Sequence, residues 1–252
     1  MINLKNRIAL VTGGSRGIGS ACAILFAKAG ANVAITYKDN EKAANKVVRK
    51  IKSLNKTAIE LKCDIENYQD VYANVKEVVN YFGRIDILVN NAGVWTESSL
   101  ENMSEQIWDE TIDINLKGTM NFCKAVLPYM KRQKYGRIIN ISSTAGQRGE
   151  AFHSHYAAAK GGVISFTKSI AVELIKYGIY VNCVAPGWVL TDMTNPFLKV
   201  KKNMEKVLKT IPRNKIATPD EIAGPVLFLA SDLSNNIVGE ILNVNGGSVL
   251  CG

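Results

Sequence analysis

The chain alternates short apolar runs with longer stretches in which apolar residues recur three or four positions apart. The short runs are Ile8 to Thr12, Val33 to Tyr37, Ala58 to Cys63, Ile85 to Asn90, Arg137 to Ser142, Tyr180 to Ala185 and Ile241 to Val244. Their richness in β-branched residues predicts seven strands. Stretches between them, such as Ala21 to Ala29 and Val71 to Phe82, carry the period of amphipathic helices. Strand then helix, repeated, predicts an α/β architecture with a parallel sheet. Most of the strands are apolar nearly throughout, which a sheet covered by helices on both faces requires. The expected fold is therefore a doubly wound, seven-stranded parallel sheet. Trp188 to Ile216 interrupts the alternation with a lysine-rich helical insertion, a candidate mobile lid at 188–216. No linker or repeat divides the remainder, so residues 1–252 are expected to form one domain.

Composition narrows the function classes. The net charge of +9 invites an anionic partner, but the lysines are dispersed. No block of like charge and no aromatic-interleaved basic stripe points to nucleic acid. Cys22, Cys63, Cys123, Cys183 and Cys251 are far apart, form no CxxC pair and have no neighbouring histidines, so they read as reduced, mostly buried thiols with no metal site. Met1 to Leu10 runs straight into a strand without the pattern of a signal peptide, and no apolar run approaches the ~18 residues of a membrane helix. A soluble protein of the cytoplasm is the expectation.

The first strand ends in Thr12-Gly13-Gly14-Ser15-Arg16-Gly17-Ile18-Gly19 and leads into a helix beginning near Ser20. A glycine-rich turn between strand and helix is a phosphate cradle. Gly13 lets the chain reverse, Gly17 lets the backbone approach a pyrophosphate, and Gly19 lets helix pack on strand, with Ser15 and Ile18 between them. The fold so marked is Rossmann-like and its ligand is a dinucleotide. The Gly-Lys-Ser/Thr of a Walker-type site is absent, which argues against ATP hydrolysis. At the end of the second strand, where an acid would bind the ribose hydroxyls of NAD, the chain has Tyr37 and then Lys38. Together with Arg16 this predicts two cations converging on a 2′-phosphate, and hence NADP(H). The alternative is a solvated Lys38, with Asp39 taking the acidic role.

Downstream, Tyr156 and Lys160 stand four apart in the helical stretch Tyr156 to Tyr177, so their side chains share a face. A neighbouring ammonium favours ionised tyrosine and is expected to lower its pKa from ~10, which makes proton transfer feasible. The spacing Thr-Gly-xxx-Gly-x-Gly followed by Tyr-xxx-Lys resembles the short-chain dehydrogenase/reductase family over essentially the whole chain. The resemblance implies a catalytic set of Asn115, Ser143, Tyr156 and Lys160. Ser143 would bond the substrate carbonyl, Lys160 would hold the nicotinamide ribose, and Asn115 would link the lysine through water to solvent. It also implies cofactor contacts from Asn91, Ala92 and Gly93 after the fourth strand, and from Pro186, Gly187, Val189 and Thr191 near the carboxamide. Asp64, with Ile65, would flank the adenine, although Asp64 reads equally well as a strand-terminal turn residue.

Within the family, Gly136 to Ser143, Tyr156 to Gly162, Val181 to Gly187 and Asn245-Gly246-Gly247 are most similar to reductases of 3-oxoacyl groups on acyl carrier protein. That likeness implies fatty-acid synthesis, a homotetramer, and an acidic carrier protein docking near Lys134. The second docking position falls on Tyr177, beside Lys176, and departs from the basic pattern. So does Phe152-His153-Ser154-His155, where glutamine, a small residue and asparagine are usual. His155 reads as a surface or loop-packing residue, while His153 is either that or a substrate contact. In the lid, Met193, Phe197, Leu198, Met204, Val207 and Leu208 either line an acyl slot or form the inner face of an amphipathic helix. Lys199, Lys201, Lys202, Lys206 and Lys209 face either an acidic partner or water. The subunit contacts would run through Met103 to Lys131, Tyr156 to Tyr177 and Asn243 to Gly252, although Val163, Phe166, Ile170 and Leu174 fit a core face equally well. Two other functions remain open: a reductase or dehydrogenase of the same family acting on a sugar or other secondary alcohol, and a non-catalytic nucleotide sensor.

Overall fold

The computed structural model describes residues 2–250, so Cys251 and the end of the expected C-terminal contact lie outside the described residues. Its strands are β1 (Ile8–Val11), β2 (Asn32–Tyr37), β3 (Ala58–Lys62), β4 (Ile87–Asn90), β5 (Gly136–Ile141), β6 (Ile179–Pro186) and β7 (Ile241–Val244). All pair in parallel, in the order β3-β2-β1-β4-β5-β6-β7. Each expected strand is present, displaced by at most two residues at an end.

Helices α1 (Gly17–Lys28), α2 (Glu41–Lys52), α3 (Tyr68–Phe82), α4 (Glu105–Ile112), α5 (Gly118–Gln133), α6 (Ala145–Arg148) and α7 (Ser154–Leu174) follow the strands they connect. The lid holds the short helices α8 (Asn195–Leu198) and α9 (Lys201–Leu208), and α10 (Pro219–Leu229) precedes β7. One buried apolar layer packs α1, α2 and α10 on one sheet face, and a second packs α3, α5 and α7 on the other. Val163 and Leu174 are buried, Leu174 within the second layer, and Phe166 and Ile170 pack partly buried against it. The chain reverses direction across the sheet between β1 and β4, the switch point beyond whose carboxyl ends ligands bind in open α/β sheets.

Three regions take a more definite form in the structure. Within Met103 to Lys131 a π-helical turn over Asp113–Lys117 joins α4 to α5. Of the lid residues singled out, Met193 is exposed and lines the cleft, and the others pack on the lid itself. Leu198, Val207, Ile211 and Ile216 form a small buried core of their own, joined by Trp188, Phe197, Met204 and Leu208, while Lys199, Lys201, Lys202, Lys206 and Lys209 are exposed. His153 and His155 are both buried, which removes the surface alternative and leaves His155 as a packing residue. Four cysteines, Cys22, Cys63, Cys123 and Cys183, are buried and free as expected, and burial holds all four thiols up at about 12.

Candidate active site

A cleft of about 880 Å³ opens over the carboxyl ends of β1 and β4, a size that suits a bound cofactor. Its walls bring together nearly every residue singled out in the sequence: Gly13, Ser15 to Ile18, Tyr37, Lys38, Asp64, Ile65, Asn91 to Gly93, Asn115, Ser143, Tyr156, Lys160, Pro186, Gly187, Val189 and Thr191. Gly19 lies one residue behind this wall, in the first turn of α1.

The glycine turn is bolted to the sheet. Thr12 Oγ1 accepts from the amides of Asn91 and Ala92, each at 3.0 Å, and Asn91 Nδ2 donates to the carbonyls of Thr12 (3.0 Å) and Gly13 (3.2 Å). Gly17 sits at φ +53°, which disfavours a side chain. Arg16 occupies the N-cap of α1 without a side-chain capping bond, so the first-turn amides are left for the cleft. This is the cradle a pyrophosphate fits. A methyl carbon at Gly19 would stand 2.4 Å from the Gly13 carbonyl oxygen and 2.5 Å from Asn91 Nδ2. Gly19→Ala is expected to cost about 1–3 kcal/mol of stability by overpacking. It is also expected to weaken dinucleotide binding about tenfold or more in calorimetric titration, a loss of ~1.4 kcal/mol. Undiminished affinity would show that the turn is not the cradle.

At the far end of the cleft the two expected cations each face carboxylates. Arg16 Nη1 lies 3.9 Å from Asp192 Oδ2, and Lys38 Nζ lies 3.7 Å from Asp64 Oδ1 and 3.4 Å from Glu66 Oε1. Those carboxylates raise the Lys38 pKa although desolvation opposes them. Exposed pairs of this kind are worth at most about 1 kcal/mol and exchange readily for a stronger anion. Asp64 also has a structural role, since its Oδ1 accepts from the Glu66 amide at 3.2 Å.

The chemical end is built from four elements. Asn115 projects from the π-helical turn, a distortion that often marks functional positions. Its side chain clasps Val94, accepting from the amide at 3.2 Å and donating to the carbonyl at 3.1 Å, and also donates to the Thr111 carbonyl at 3.0 Å. A methyl placed on Gly93 would lie 2.5 Å from Asn115 Oδ1 and 3.5 Å from Lys160 Nζ, so those two groups crowd the same α-carbon. Lys160 Nζ donates to the Ile141 carbonyl at 2.9 Å, and the Lys160 carbonyl accepts from Ser142 Oγ at 2.8 Å. Ser143, just beyond β5, accepts from the Ala145 amide at 3.1 Å and hydrogen-bonds Tyr156.

Electrostatics here reverse one expectation. Burial pushes the Tyr156 hydroxyl up to about 12; the Ser143 bond opposes this and Glu150 adds to it. Lys160 does not depress it, because its ammonium is turned to Ile141 and lies 5.7 Å from the tyrosine ring centroid. Burial instead lowers Lys160 to about 8, slightly offset by Cys183. The arrangement keeps tyrosine as a proton-bearing acid at neutral pH.

Sequence reasoning missed several residues around this end. Trp95 stacks on His153, Glu150 accepts from Trp95 Nε1 at 3.4 Å, and Gln147 Nε2 donates to Asn243 Oδ1 at 2.6 Å. A lone Trp after the Asn-Asn-Ala-Gly stretch carries no periodic signal. Among the described residues no cluster of His, Cys, Asp and Glu is arranged to hold a metal ion, and no helix is long and apolar enough to cross a membrane.

The expected docking position Lys134 is exposed, ending α5 in the left-handed conformation at φ 52°. Tyr177 stands near it, with Lys131 Nζ 4.3 Å and Lys176 Nζ 5.3 Å from its ring centroid.

Comparison with known proteins agrees with this geometry. A family model described as enoyl-(acyl carrier protein) reductase matches residues 13–248. The chain is 43% identical over 242 residues to the 3-oxoacyl-acyl-carrier-protein reductase of Staphylococcus epidermidis, covering 96% of this chain and 98% of that protein. It is 42% identical to the corresponding reductase of a Synechocystis species, covering 99% and 100%. The crystal structure of levodione reductase superposes with a TM-score of 0.93 at 30% identity, covering 97% of this chain and 98% of that one.

Proposed function

The chain belongs to the short-chain dehydrogenase/reductase family, and from that premise we propose that it reduces 3-oxoacyl groups on acyl carrier protein to 3-hydroxyacyl groups with NADPH, in fatty-acid synthesis. One observation carries the reading: Ser143, Tyr156, Lys160 and Asn115 meet at one end of a cleft whose other end is a phosphate cradle. Residues 1–252 act as a single NADP-binding domain, working in the cytoplasm as a homotetramer.

The glycine turn and the first-turn amides of α1 would hold the pyrophosphate, Asp64 and Ile65 would flank the adenine, and Pro186, Gly187, Val189 and Thr191 would flank the carboxamide. Arg16 and Lys38 would take the 2′-phosphate in place of their carboxylate partners. When bound, the nicotinamide supplies the hydride. Ser143 Oγ donates to the carbonyl oxygen as negative charge builds on it. Tyr156 delivers the proton from its hydroxyl to that oxygen. Lys160, held by the Ile141 carbonyl, would bond the nicotinamide ribose, and its pKa near 8 places it close to working pH. Asn115 fixes Val94 and the turn against which these groups are aligned. The carrier protein docks at Lys134, where the Tyr177 ring gathers Lys131 and Lys176 and so keeps the patch cationic.

The test follows NADPH oxidation with acetoacetyl groups linked to acyl carrier protein or to a small thiol. Turnover favouring the carrier-linked form is expected. NADH should serve at least about tenfold less well, and Arg16→Ala with Lys38→Ala should erase most of that preference by removing ~1–2 kcal/mol of charge-assisted binding. No turnover with either thioester sinks the substrate reading and leaves the family's secondary-alcohol chemistry in its place.

A further inference from the structure

Four rings from three separate segments interlock next to residues of the cleft: Trp95 adjoins Val94, Trp188 adjoins Val189, and His153 stands three residues before Tyr156. Trp95 follows Val94, whose amide and carbonyl are both held by Asn115. Its indole lies flat on the His153 imidazole, with centroids 4.3 Å apart and planes 1° from parallel. Two lid rings close on the same indole edge-on, Trp188 at 5.6 Å and Phe197 at 6.0 Å, and these stack on each other at 5.3 Å. Glu150 tethers the indole through Nε1 at 3.4 Å. His153 stands three residues before Tyr156, is buried, and has Nδ1 3.1 Å from the Ala151 carbonyl oxygen.

The residues that would hold the cofactor, the glycine turn, Asn91 to Gly93 and Pro186 to Thr191, bound one side of the cleft. A substrate whose carbonyl reaches Ser143 and Tyr156 therefore extends outward between the Val94–Trp95 turn, the turn before α7 and the lid. Those are the three segments the rings bridge. Aromatic pairs packed this way are rigid and mutually stabilising, so the barrier does not yield as a lone leucine or methionine would. A chain longer than a few carbons must part the lid rings from Trp95.

We infer that Trp95, clamped between His153 and the Trp188–Phe197 pair, sets the length of acyl chain this enzyme accepts and restricts it to short 3-oxoacyl groups. The inference rests on the reductase reading above and deepens it.

The experiment compares kcat/KM for acetoacetyl and 3-oxooctanoyl thioesters of one small thiol, with NADPH, in wild type, Trp95→Ala, Trp95→Phe and Phe197→Ala. Wild type should favour the shorter substrate by at least about tenfold, the discrimination even one excess methylene can produce. Trp95→Ala and Phe197→Ala, which open the barrier from opposite sides, should each bring that ratio down about tenfold, while Trp95→Phe retains most of it. Phe152→Ala, at an exposed ring outside the cluster, should leave the ratio unchanged. A wild-type ratio near one, or a ratio unmoved in whichever alanine variant folds and still reduces acetoacetyl thioester, overturns the inference and leaves the reductase reading standing. If wild type turns over neither thioester, both fall together.

Discussion

Tyr156→Phe is expected to lower kcat for ketone reduction by roughly 10²–10⁴, the usual contribution of a positioned general acid. Affinity for NADPH should stay within about twofold in fluorescence titration, a change under ~0.5 kcal/mol. The change removes one oxygen atom and leaves the ring. What is lost is a hydroxyl that meets Ser143 and, held up at about 12, stays protonated throughout the neutral range. Single-turnover kinetics with saturating cofactor separate the chemical step from binding. If the mutant kept more than about a tenth of wild-type kcat, less than the smallest effect expected of a general acid, Tyr156 would not be the acid.

The second large effect concerns Lys160 and couples function to stability. Its ammonium is buried, and the folded-state pKa of about 8 lies below the ordinary 10.5. Between those two pH values the unfolded chain binds a proton that the folded chain has released, so unfolding free energy rises with pH across that window. Below about pH 8 both states are charged and the folded state bears the full desolvation cost. Lys160→Met removes this titration. The difference in unfolding free energy, wild type minus mutant, should therefore rise by up to about 3 kcal/mol from pH 8 to pH 10.5, at ~1.36 kcal/mol per pKa unit. Pairing terms that do not titrate, such as the bond to Ile141, shift both ends equally and drop out of the slope. Tyr156 titrates in both proteins and cancels. Urea unfolding across that range provides the measurement, and parallel curves for the two proteins would mean that Lys160 is not held as a desolvated cation. The same mutant should have almost no reductase activity, so the enzyme is less stable at neutral pH with its catalytic lysine than its packing alone would make it.

The layered sheet was readable because its signal is local and repeated. Runs such as Ile138-Ile139 and Val33-Ala34-Ile35 sit on a sheet buried on both faces, and their apolar continuity states this before any contact is known. The phosphate turn was readable for a related reason: glycines at fixed offsets between strand and helix answer a backbone requirement that few other residues meet. The π-helical turn joining α4 to α5 was not readable, since Asp113 to Lys117 keeps a helical composition and the turn is set by packing around Asn115 and Thr119. Of the quartet around Trp95, His153 and Phe197 stood out singly, but their meeting with Trp95 and Trp188 was silent, because 95, 153, 188 and 197 have no shared period.

Sequence by itself determined the strand count, the order of strand and helix, and the glycine turn, each dictated by residue type over a few neighbours; Asn115, Ser143, Tyr156 and Lys160 were singled out by resemblance to the family. Tertiary structure alone decided the directions of the pKa shifts at Tyr156 and Lys160, the pairing of Lys38 with Asp64 and Glu66, the burial of both histidines and the folding of the lid over its own core. Those properties depend on how far a group is withdrawn from water and which distant charge it meets, and neither quantity exists until the chain has closed on itself.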